Sequence, residues 1–92
     1  MHLNNFMEEA VNRSLEELLQ EPAYVSLKLN DKIKLDILAF ALNHLPPRYV
    51  VTEKGHLYTR VDELKQQFRT DIIVELTKAI QRVVENPRQE KP

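Results

Sequence analysis

The chain has 92 residues, of which 42% are hydrophobic and 29% charged, with a formal net charge of −1 and no cysteine. That composition describes one small globular domain, excludes disulfides and thiolate zinc sites, and argues against general nucleic-acid binding, which calls for a strongly basic domain. The longest apolar run, Ile37 to Leu42, is too short to cross a membrane, and Met-His-Leu-Asn-Asn lacks a signal-peptide pattern, so the expected location is the cytoplasm.

Asn4 or Asn5 can cap a first helix, with Glu8 and Glu9 in its first turn, where the helix dipole favours acids. Met7, Val11, Leu15 and Leu18 recur at helical spacing, and Pro22 stops the run. Ala23 to Leu29 alternates but has no evident strand partner, and reads as a packed loop. Asn30 or Asp31 then caps a second helix reaching about His44. Leu35, Leu38, Leu42 and Leu45 form one stripe of it, and Ile33, Ile37, Phe40 and Ala41 another. A helix apolar nearly all round needs cover on more than one face, which points to a central helix or a second subunit.

Pro46 and Pro47 end that helix and lead into a stiff, extended exit at Arg48 and Tyr49. Tyr49 to Val51 and Leu57-Tyr58 flank Gly55, the chain's one glycine, a pattern that fits a small hairpin. From Thr59, Val61, Leu64, Phe68, Ile72, Leu76, Ile80 and Val83 mark a last helix up to Asn86-Pro87. Unbroken, it would be roughly 40 Å long, so it must bend, with Asp71 the expected break, or be covered by another chain. The expected fold is therefore all-α with at most a minor β-hairpin, one domain over 1–92 with 1–4 and 87–92 frayed, forming an intertwined homodimer.

No catalytic pattern emerges. His2, His44 and His56 lack ligand spacing, no HExxH or glycine-rich phosphate loop occurs, and Ser14 and Ser26 sit in no nucleophile elbow. The expectation is a protein that is not an enzyme and holds no metal. Charge is uneven, however. Residues 1–27 set Arg13 against five glutamates, whereas residues 28–60 set six cations against Asp31, Asp36 and Glu53. Arg48, Tyr49, Lys54, Tyr58 and Arg60 gather within that basic stretch. Guanidinium forks suit phosphate or a guanine edge, and aromatic faces suit bases, so a compact anionic nucleotide is the ligand class indicated. Tyr58 can equally seal a core, and Asn43 can hold either a ligand or the backbone of the double-proline turn. Lys28, Lys32 and Lys34 are a second cationic cluster, whose ordinary fate is solvation.

The run Asp36-Ile37-x-Ala39-x-Ala41-Leu42-Asn43-x-Leu45-Pro46-Pro47-x-Tyr49 resembles the signature of the late-competence ComFB family. The flanks agree: a first helix opening on Asn-Phe-x-Glu-Glu, and a last one closing near Asn-Pro-Arg88. The resemblance implies a small, mostly helical bacterial homodimer linked to competence, whose cyanobacterial relatives act as receptors for cyclic dinucleotides. It implies no cofactor, but a cyclic dinucleotide as ligand, cyclic di-GMP before cyclic di-AMP, with relay to an unidentified regulatory protein and no membrane partner. The alternative is a ligand-free adaptor in competence or motility regulation. Some members carry zinc-binding cysteines before the signature helix. Here that segment reads Val25-Ser-Leu-Lys-Leu-Asn30, so packing of Val25, Leu27 and Leu29 must hold it.

Overall fold

The computed structural model describes residues 2–52 and 57–85, leaving aside the side chains of 2–4, 50–52 and 57–60. In chain order come β1 (His2–Asn5), α1 (Phe6–Leu18), a 3-10 turn (Val25–Leu27), α2 (Asp31–Asn43), β2 (Tyr49–Thr52), α3 (Leu57–Gln67) and α4 (Arg69–Glu85). The molecule is 19 Å through its thinnest direction, about two helix diameters.

Local chemistry explains where the helices begin. Asn5 Oδ1 accepts from the Met7 N–H at the start of α1, and Asn30 Oδ1 accepts from Ile33 N–H at 2.8 Å at the start of α2. At the far end of α2, His44 Nδ1–H donates to the Phe40 carbonyl at 2.7 Å and its ring lies 4.6 Å from that of Phe40. The next two residues with free choice of conformation are gone, because Pro46 and Pro47 follow Leu45.

The core is the meeting of four helices. Met7, Ala10, Val11 and Leu15 of α1, Ile37 and Ala41 of α2, Val61 of α3, and Ile72, Leu76 and Ala79 of α4 are fully buried. Arg13 reaches Asp62 at 3.2 Å, and Lys65 pairs with Glu17, so ion pairs tie α1 to α3 along their exposed rims.

Several expectations are corrected. The small β element exists, but not as a local hairpin: β2 pairs antiparallel with β1, His2 opposite Thr52 and Asn5 opposite Tyr49. Leu57 and Tyr58 open α3 instead, so Thr59 is inside a helix and not its cap. His2 to Asn4, expected to fray, are paired in the ribbon, whereas 87–92 lie outside the described residues. The long last helix breaks at Phe68, three residues before Asp71. The reason is packing: α3 lies chiefly on α1 and α4 chiefly on α2, so the rod bends where it changes partner. Phe68 N–H still donates to Leu64 O, and Ile72 N–H to Phe68 O, both at 2.9 Å, so the joint is a bend and not an interruption. In the loop before α2, Leu27 and Leu29 pack on the core, but Val25 is 56% exposed and contributes no such anchor.

The all-round apolarity of α2 is only partly absorbed within one chain. Ile37 and Ala41 are buried, Leu38, Phe40 and Leu42 are half-buried, and Leu35 is 66% exposed. Among the described residues no helix is long and apolar enough to cross a membrane.

Candidate functional site

The corner after α2 is assembled by backbone hydrogen bonds that the sequence makes almost unavoidable. Leu45 N–H returns to Leu42 O, and the two prolines have no N–H, so Arg48 supplies the next free donor. Asn5 Oδ1 accepts that Arg48 N–H at 2.9 Å while also accepting Met7 N–H at 3.2 Å. Phe6 N–H in turn donates to Arg48 O at 2.8 Å. Both backbone polar groups of Arg48 are thus fixed to the start of α1.

The side chain is positioned as well. The Arg48 guanidinium carbon lies 4.8 Å from the ring centroid of Phe68, within cation–π range, at the bend between α3 and α4. Tyr49 begins β2 next to it and is 62% exposed, a large ring left uncovered. These residues form one wall of a groove of about 330 Å³, with Phe6 and Pro47 as its apolar part. The opposite wall is α3, through Glu63, Leu64 and Gln67. The groove therefore combines a fixed guanidinium, an exposed phenol ring, a carboxylate, a carboxamide and an apolar floor. A hollow of similar size, about 320 Å³ beside Tyr24, Leu27, Ile80 and Val84, has no cation in its lining.

Of the site residues expected from sequence, Arg48 and Tyr49 come together here. Arg60 and Tyr58 lie in the first turns of α3, their side chains outside the described residues. By helical register, position 60 falls on the same stripe as 63, 64 and 67. Lys54 lies outside the described residues. Asn43 closes α2, is exposed and does not line the groove. Among the described residues its side chain makes no hydrogen bond to the double-proline turn, so the structural role expected of it belongs to Asn5. Phe6, Glu63, Gln67 and Phe68 are the contributors that residue types did not flag. The stripe at 60, 63, 64 and 67, polar but for Leu64, was visible, although nothing local says that it faces the corner. Among the described residues, no three His, Cys, Asp or Glu side chains converge as metal ligands.

The model of the late competence development protein ComFB family matches residues 4–87 of this chain. The chain belongs to that family and is a small competence-related protein. Comparison with curated proteins and with solved structures gives no match.

Proposed function

We propose that this protein is a non-enzymatic signalling receptor that binds a cyclic dinucleotide in the groove at Arg48 and Tyr49 and relays its occupancy to a partner protein. The observation that carries this reading is the Arg48 arrangement. Its backbone is clamped by Asn5 and Phe6, its guanidinium rests on Phe68, and an uncovered tyrosine stands beside it. A cation already held in place loses little conformational freedom on binding, which favours affinity. Arg48 is suited to a phosphate and Tyr49 to stacking on a base.

Size refines the reading. A groove of about 330 Å³ is at the small end of ligand sites, typically about 300–1,000 Å³. It accommodates one base with its phosphate, and the second half of the ligand extends along the start of α3, where Arg60 belongs. The protein acts as a homodimer in the cytoplasm, with the exposed α2 face around Leu35 in the interface.

Calorimetric titration of the chain with cyclic di-GMP and cyclic di-AMP tests the function. Saturable heat with at least one of them supports it, and absence of heat together with an unchanged melting temperature for both rules it out. The adaptor reading draws support from Glu63, whose carboxylate shares the groove with Arg48 and opposes a dianion. A protein partner retained by an Arg48→Ala, Arg60→Ala double variant, with no dependence on nucleotide, would favour it.

A further inference from the structure

The carboxylate in the groove calls for a physical account if the ligand is anionic. A carboxylate facing phosphate is repelled, and an ionised carboxylate only accepts hydrogen bonds. It is compatible with a nucleotide only where it meets donors, and the bases differ sharply there. The Watson–Crick edge of guanine presents N1–H and the N2 amino group side by side, two donors matched to two carboxylate oxygens. The corresponding edge of adenine presents one amino donor beside the N1 lone pair, which a carboxylate repels.

Resting on the receptor reading above, we propose that Glu63 is the specificity-determining residue of the groove and selects guanine. A base stacked on Tyr49, with its phosphate toward Arg48, directs its edge across the groove at α3. Glu63 stands on that wall and accepts from N1–H and N2–H. Gln67, one helical turn further along the same face, offers a side-chain amide donor for the guanine O6. Carboxylate and carboxamide in this order complement the donor–donor–acceptor sequence of guanine and not the edge of adenine. Glu63 has an interaction of its own within the chain, which the base edge exchanges for a charge-assisted pair. The groove therefore discriminates within the class of cyclic dinucleotides in favour of the guanine-containing one.

The test is titration of the full chain, wild type and Glu63→Gln, with cyclic di-GMP and with cyclic di-AMP. A bidentate base contact gives about tenfold discrimination or more. The wild type is expected to favour cyclic di-GMP by at least about that factor. Glu63→Gln, which offers one donor and one acceptor, is expected to weaken cyclic di-GMP by a similar factor and to leave cyclic di-AMP unchanged or tighter. Glu63 is exposed on α3, and an unaltered circular dichroism melt confirms that the variant folds. Equal wild-type affinities, or tightening of both ligands to the same extent in the variant, would overturn the assignment of Glu63 while leaving the receptor reading intact. A wild type that binds neither ligand removes both.

Discussion

Asn5 and Arg48, 43 positions apart, are joined by a 2.9 Å hydrogen bond from the Arg48 N–H to the Asn5 side-chain oxygen, which also caps α1. One side chain therefore fixes both the start of the first helix and the corner that carries the proposed ligand contact. Helix α1, β2 and the groove are coupled through it.

Replacing Asn5 with Ala should remove both functions at once. Loss of the cap alone costs about 0.5–2 kcal/mol, and the freed Arg48 N–H adds to that. Urea unfolding should show the loss, and amide exchange at Met7 and Arg48 should accelerate. Stability within a few tenths of a kcal/mol of wild type would show that water replaces Asn5 without penalty.

Arg48→Lys keeps the charge but loses the planar fork and its face-on contact with Phe68. Binding of the cyclic dinucleotide should weaken about tenfold or more, approaching the effect of Arg48→Ala, while the fold is retained. Lysine performing as well as arginine in calorimetry would mean that only net charge matters at the corner.

Leu35 is 66% exposed on a helix whose other large apolar side chains are buried or half-buried. In a monomer, Leu35→Lys should change stability by no more than about 0.5 kcal/mol. In the proposed dimer it places a charge in an apolar interface and should shift light scattering from dimer to monomer at micromolar concentration. A wild-type protein that is monomeric at that concentration removes the dimer.

Ile37 and Leu76 are fully buried in the facing helices α2 and α4. Truncating either to Ala should cost about 2–5 kcal/mol in denaturant unfolding. Phe40→Ala should cost less in a monomer, because Phe40 is half-buried between His44 and the Arg82 guanidinium, 5.8 Å from its centroid. A Phe40 loss equal to that of Ile37 would indicate that a second copy covers it.

Much of this was legible in the residues because it rests on local chemistry. Asn4 or Asn5 and Asn30 or Asp31 announce helix starts, of which Asn5 and Asn30 are the caps, Met7, Val11 and Leu15 mark a buried stripe, and the double proline both stops α2 and stiffens the approach to Arg48. The pairing of His2–Asn5 with Tyr49–Thr52 was not, because strands more than forty residues apart leave no turn between them to read. Leu57-Tyr58, which the Gly55 turn pattern places in a hairpin, opens α3 because the partner of β2 comes from the start of the chain. The break at Phe68 depends on which helix each half packs against, and Glu63 and Gln67 enter the groove only because α3 crosses beside the corner. Local pattern identified one wall of the site, and tertiary packing supplied the other.

Amide chemical-shift mapping of the labelled protein during titration with cyclic di-GMP shows which surface the ligand occupies. Saturable shifts are expected to concentrate at Phe6, Arg48, Tyr49, Glu63 and Gln67, the two walls of the groove. Saturable shifts confined to another surface, with Lys28 to Lys34 the foremost rival, or a spectrum unchanged at saturating ligand, would contradict binding in the groove.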